Sequence, residues 1–126
     1  EILAGVSLER NDSLPAVAKQ LSLGGKVSVF LKAGHLSDEQ LVDYLYNAED
    51  DTLTPLPSER IHTPNTHGTG CTLSSALAAA LARGEALTDA ARSAKEYINK
   101  AIVSGANYTI GHGHGPVDHF WHLRLE

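Results

Sequence analysis

The segment Asn65-Thr66-His67-Gly68-Thr69-Gly70-Cys71-Thr72-Leu73-Ser74 holds the residue types best suited to chemistry in this 126-residue chain. Two glycines, one residue apart, lead into an alanine-rich stretch, so a tight turn is expected to feed directly into a helix N-terminus. The first amides of such a helix lack intrahelical acceptors. Together with the helix dipole they favour an anion, phosphate above all. Gly68 and Gly70 let a bound oxygen approach the backbone with no Cβ in the way. Cys71 falls in the first turn, where the dipole favours a thiolate. It reads either as a general base beside a bound phosphate or as a small buried side chain. His67 either hydrogen-bonds a phosphate or fixes the turn. Two common phosphate motifs are missing: there is no Gly-Lys-Ser/Thr tripeptide, and Gly68-x-Gly70-x-x reaches Leu73 where a dinucleotide fingerprint needs glycine or alanine. The competing reading is a glycine loop that only caps a helix.

Two other places bear on a site. His112, His114, His119 and His122 have spacings that suggest metal ligation, but Gly111, Gly113, Gly115 and Pro116 lie among them and Asp118 is the nearby carboxylate. A glycine loop shaping a pocket wall fits better, and no metal ligand is assigned. Lys32 and Gly34 follow an apolar run. Ligands of open α/β sheets gather at strand carboxyl ends, so these residues mark a pocket edge, with an ordinary solvated lysine as the alternative.

The surrounding pattern supplies the elements. A helix is expected from about Ser13, with Pro15 in its first turn, Leu14, Ala18 and Leu21 on one face, and Gly24-Gly25 as its stop. Val27 to Leu31 reads as a short buried strand of a parallel sheet. From Ser37 to Asn47 the signals conflict: Ser37 with Gln40 resembles a capping box, while Val42 to Tyr46 is rich in strand formers. Pro55 and Pro57 restrict Thr52 to Ile61 to an edge or irregular strand. One helix is expected from about Gly70 to Arg83, with Leu73, Leu77 and Leu81 in a row and Gly84 as stop. Another runs from Thr88, as N-cap, to about Val103, with Ala91, Ala94, Ile98, Ala101 and Ile102 on one face and Gly105 after it. The tail from Tyr108 reads as a loop with a short terminal element.

Composition narrows the class. Ten basic against 15 acidic residues, a net charge of −5, and no basic stretch leave nucleic-acid binding without a basis. The longest apolar run, Ala76 to Ala82, is far too short to span a membrane. The single cysteine excludes an intrachain disulfide. With no signal-like segment, a cytoplasmic globular protein is expected. The chain contains no methionine and begins at Glu1, which suggests processing or trimming from something longer.

Taken together, Asn65 to Thr72, Leu31-Lys32-Ala33-Gly34-His35-Leu36 and Gly111-His112-Gly113-His114-Gly115-Pro116-Val117 resemble three motifs of the hydroxymethylpyrimidine/phosphomethylpyrimidine kinases of thiamine biosynthesis, within the ribokinase superfamily. The resemblance implies the C-terminal half of a three-layer α/β/α domain with a mainly parallel sheet, residues 1–126 forming part of a single kinase domain. It implies ATP-dependent phosphorylation of a pyrimidine hydroxymethyl group or its monophosphate, with magnesium on the ATP phosphates. The amides of Gly68, Thr69, Gly70 and Cys71 would stabilise the transferring phosphoryl group, and Cys71 would act as base. Lys32, Gly34, Asn65, Thr66, His67, Ile98 and Gly113 would border the nucleotide. The resemblance also favours a strand over Val42 to Tyr46. Family members are about twice as long, so the acceptor pocket and the magnesium-organising motif are expected in an absent N-terminal half. Association with that half, or with another copy, follows from the cut sheet. A pyridoxal kinase of the same superfamily and a non-catalytic phosphate-binding module are the alternatives.

Overall fold

Pro15 has no amide to donate, and the first turn of a helix is where that costs nothing. In the computed structural model, which describes residues 13–33 and 39–123, it occupies the first turn of helix α1, Leu14–Leu21. Leu14, Val17 and Ala18 are buried on one face, at the i, i+3, i+4 spacing of an amphipathic helix. Leu21, expected on that face, is half-exposed, and Val17 takes its place. The helix closes on Ser22, which is fully buried. Its hydroxyl donates to the Lys19 carbonyl at 2.6 Å and accepts the Gly25 amide at 3.0 Å. Its carbonyl accepts from the amides of Lys26 and Val27.

Strand β1 covers Val29–Leu31, β2 covers Gln40–Asn47 and β3 covers Thr52–Glu59, in the order β1-β2-β3. Both pairings are antiparallel, so the parallel arrangement expected for Val27 to Leu31 is corrected: Val29 lies opposite Tyr46 and Leu31 opposite Tyr44. Nor is that run fully buried. Val27 is exposed outside the strand, and all three β1 residues are half-exposed. The conflict between Ser37 and Asn47 resolves as a strand from Gln40 onward, while Ser37 lies outside the described residues. A four-residue turn joins β2 to β3. In it Asn47 Oδ1 accepts the Glu49 amide, and Asp50 Oδ1 accepts both the amide and the hydroxyl of Thr52.

The two prolines do not disturb β3, which is a regular eight-residue strand. The Arg60 amide donates to the Glu39 carbonyl at 2.9 Å. Hydrogen-bonded positions alternate along an antiparallel pair, so Ser58, Leu56 and Thr54 face β2 with their amides. Pro57 and Pro55 therefore fall at positions whose nitrogens point away from β2, where a missing donor breaks no bond.

The chain divides into two compact units, Glu1–Arg60 and Ile61–Glu126. In the second, helix α2 spans Thr69–Ala82 and helix α3 spans Leu87–Gly105. Along α2, Thr72, Leu73 and Ala80 are buried; Leu77 is half-exposed and Leu81 exposed, so the expected leucine row is only partly interior. Helix α3 buries Ile98 together with Ala90, Ala91, Ala94 and Ala101, whose small side chains let neighbouring backbone come close. Its N-cap is Ala86, so Thr88 is the second residue of the helix, within its first turn, and not its cap. Gly105 forms the last turn and does not follow it. The Asp118 amide donates to the Ala101 carbonyl at 3.0 Å, which fastens the tail along α3. A 3₁₀ turn over Trp121–Leu123 completes the described tail. No described helix is long and apolar enough to cross a membrane.

Candidate active site

Gly68 is the N-cap of α2 and sits in the left-handed region at φ 83°, which an L side chain enters only at a cost. The turn it makes delivers Thr69 to Thr72 as the first helical turn. Their amides are not equivalent. Thr72 donates to the Gly68 carbonyl at 2.9 Å, and Thr69 to the Thr66 carbonyl at 3.3 Å. Among the described residues, the amides of Gly70 and Cys71 have no acceptor, as helix geometry requires of first-turn donors. Gly70 is exposed and Cys71 is an exposed free thiol, so Cys71 is not packed in the interior of the described residues. Two donor amides, a dipole end and a thiol thus share one accessible helix start.

The loop before the helix is held from behind. Asn65 is 4% exposed, and its side-chain amide donates to the carbonyls of Gly105 and Tyr108, both at 2.7 Å. Both hydrogens of that amide are therefore committed within the protein, and Asn65 acts as a clamp on the loop. The His67 amide donates to the Gly115 carbonyl at 3.0 Å, and His67 with Pro116 forms an isolated parallel bridge. Gly115 is required here: a Cβ on it would collide with the Asn65 side-chain oxygen. The glycine tail thus braces the loop ahead of α2. Thr66 and His67 are exposed beside it.

A cleft of about 650 Å³ runs along α2 and α3. Ser75, Ala76 and Ala79 of α2 and Ser93 and Ala94 of α3 form its floor, their small side chains leaving the space open. Cys71 stands at one end and Arg83 at the other, roughly 18 Å apart along the helix axis. Arg83 pairs with Glu85 at 2.7 Å. Tyr97 and His119 line the wall, with the Tyr97 hydroxyl donating to the His119 carbonyl at 2.5 Å. Thr72 and His119, both lining the cleft, meet through side chains at 2.9 Å.

Of the remaining residues singled out from sequence, Lys32 is exposed just past β1, in the first unit, and Gly113 is exposed in the tail. Gly34 lies outside the described residues. Ile98 is only 2% exposed and lies in the interior of the second unit, so its side chain is not presented to a ligand there. Sequence reading missed Arg83, Tyr97 and the cleft itself. The recurrence of small residues at 75, 76, 79, 93 and 94 was the available signal. Among the described residues no three His, Cys, Asp or Glu side chains converge as a metal site. His112 and His114 are exposed, and His114 Nδ1 lies 3.3 Å from the Pro64 carbonyl.

Residues 1–118 match the family described as phosphomethylpyrimidine kinase. A hydroxymethylpyrimidine/phosphomethylpyrimidine kinase of Rhizobium meliloti is 45% identical over 103 residues, 82% of this chain and 38% of that protein. The Haemophilus influenzae protein of the same name is 41% identical over 128 residues, 99% of this chain and 46% of its own length. The chain thus spans less than half of each of these relatives. An ADP complex of Bacillus subtilis pyridoxal kinase superposes with a TM-score of 0.85 at 36% identity, over 96% of this chain and 46% of that one. The fold class is accordingly that of the ribokinase-like α/β kinases, with the three antiparallel strands as the sheet of the described residues.

Proposed function

The chain belongs to the phosphomethylpyrimidine kinase family, and on that premise we propose that it forms the phosphate-handling part of a thiamine-pathway kinase, acting in the cytoplasm. The donor is ATP, and the acceptor is the hydroxymethyl group of 4-amino-5-hydroxymethyl-2-methylpyrimidine or the phosphate of its monophosphate. One observation carries the reading: the uncommitted amides of Gly70 and Cys71 and the exposed Cys71 thiol occupy the same helix start. With Gly68, which makes the turn, and Thr69, whose amide is held by the Thr66 carbonyl, they form the anion hole. The amides face charge that develops on the γ-phosphoryl oxygens, and such preorganised donors are worth most at the transition state. Cys71 Sγ takes the proton of the attacking hydroxyl. The oxygen–γ-phosphorus bond forms as the bond to the bridging oxygen breaks, and ADP leaves. Lys32, Gly34, Thr66, His67 and Gly113 border the nucleotide, and Asn65 holds the loop in place. Ile98 contributes through the packing of α3.

Magnesium accompanies ATP in such reactions. The described residues offer no converging ligand set for it, so no step is assigned to the ion through this chain. The acceptor pocket belongs to the N-terminal half that the longer relatives carry. Residues 1–126 are the C-terminal portion of one kinase domain and act in association with such a half or a second copy. Pyridoxal is a second acceptor, favoured by the 36% identity to a pyridoxal kinase.

The test is ATP-dependent phosphorylation of hydroxymethylpyrimidine and of pyridoxal by the chain completed with an N-terminal half, compared with its Cys71→Ala variant. Turnover of hydroxymethylpyrimidine that depends on Cys71 supports the reading. Turnover of pyridoxal alone favours the second reading, and full activity in the variant removes Cys71 as base. Binding of ATP by calorimetry with no turnover of either acceptor indicates a non-catalytic binding module.

A further inference from the structure

We propose that Asp43 is a positioning residue that fixes the backbone at Lys32 and Ala33, and so the nucleotide edge of the kinase; the proposal rests on the function proposed above. The β1–β2 ladder ends with Leu31 opposite Tyr44. Asp43 is the next residue along β2, and it is 2% exposed. Its Oδ1 accepts the Ala33 amide at 2.6 Å, in a buried position. Where the backbone ladder stops, a carboxylate thus takes over as acceptor for the chain leaving β1.

A buried acidic side chain is costly to keep, and its opposite neighbour on β3 is the apolar Leu56. A simple strand end would need no such group, since the next amide could turn to solvent. Instead Ala33 is 1% exposed and tied down, while Lys32, immediately before it, stays exposed. A short hydrogen bond to an acidic oxygen is among the stiffer ways to set a main-chain direction. Fixing Ala33 sets where the Lys32 side chain departs from the strand. Asp43 touches neither substrate nor phosphate in this scheme and works only through the backbone it holds.

The experiment measures kcat and KM for ATP and for hydroxymethylpyrimidine in the completed kinase and in Asp43→Ala, Asp43→Asn and Lys32→Ala. Loss of this hydrogen bond is expected to raise the KM for ATP about tenfold or more in Asp43→Ala. The kcat and the KM for the pyrimidine should stay within about twofold, since a ground-state contact to one substrate is what changes. Asp43→Asn keeps an acceptor oxygen and should recover part of the loss. Should Asp43→Ala fail to fold by circular dichroism, the asparagine variant carries the same test with a smaller rise. An unchanged KM for ATP in the Asp43 variants, where Lys32→Ala raises it, overturns the proposal and leaves the kinase reading standing. An unchanged KM in Lys32→Ala itself removes the nucleotide edge, and the proposal falls with it.

Discussion

The Thr72 hydroxyl lies 2.9 Å from Nε2 of His119, so the first turn of α2 is tied directly to the tail that follows Asp118. The tail is tied in turn to α3 by the Tyr97 hydroxyl on the His119 carbonyl. Three segments distant in sequence thus meet next to Cys71. Thr72→Val keeps the shape of a buried side chain and removes the hydroxyl. It is expected to lower stability by about 1 kcal/mol in urea denaturation. A cycle with His119→Ala should show coupling of at least roughly 0.5 kcal/mol, whereas strict additivity would show that the two side chains do not interact.

Cys71 is exposed and is the protein's only cysteine, so its reactivity can be followed without interference. Alkylation should add a single label to the intact chain by mass spectrometry. In the completed kinase Cys71→Ala should lower kcat by about 10²- to 10⁴-fold, the usual contribution of a positioned base. Its melting temperature should stay close to that of the parent, because no packing is lost. A parallel loss of stability and activity would point to a structural role instead.

Gly115 and Asn65 are interlocked, one needing the absence of a Cβ and the other needing two carbonyls to bind. Gly115→Ala displaces the Asn65 side chain and costs the hydrogen bonds to Gly105 and Tyr108. A loss of about 2 kcal/mol or more is expected, measured by chemical denaturation. Asn65→Ala should cost a similar amount, and the double variant should cost little more than either alone.

Tyr46 responds to alkali. Its hydroxyl donates to Asp51 Oδ1 at 2.8 Å. That hydrogen bond, with burial and the Asp51 charge added, raises the phenol above its ordinary value of 10.0. The folded state therefore holds this proton more tightly than the unfolded chain. The stabilisation is fully present below pH 10 and is lost as pH rises through the raised folded value. Melting temperatures taken between pH 9 and roughly pH 11.5 should fall less steeply in Tyr46→Phe than in the parent. Equal slopes would show that Tyr46 is not the group responsible.

Much of this was legible in the sequence, for identifiable reasons. Helix faces such as Leu14 with Ala18, or Ala91, Ala94, Ile98 and Ala101, follow from local periodicity that tertiary packing reinforces. The glycine turn ahead of α2 was legible because few residues other than Gly68 tolerate that φ. Strand direction was not. Val27 to Leu31 looks like an interior parallel strand because apolar runs carry no record of their partner. Ser37 with Gln40 imitates a helix start because a capping box is a purely local signal. Asp43, Asn65 and His119 act across 10, 40 and 47 residues of chain, and no spacing rule reaches that far. The cleft was hidden because it arises from two helices each contributing small side chains, a pattern that reads as ordinary close packing.

The placement of Pro55 and Pro57 has a consequence for how copies of this chain can meet. Adding a strand alongside β3 would require amides on its outer side to donate to the newcomer, and at two alternate positions there is no hydrogen to give. A second molecule would find a rail with gaps about every 7 Å, poorly suited to templating fibre growth or strand-swapped pairs. Self-association by strand addition along this side of β3 is therefore disfavoured. The same prolines leave the hairpin intact, because the bonds they omit lie on the side of β3 that faces away from β2.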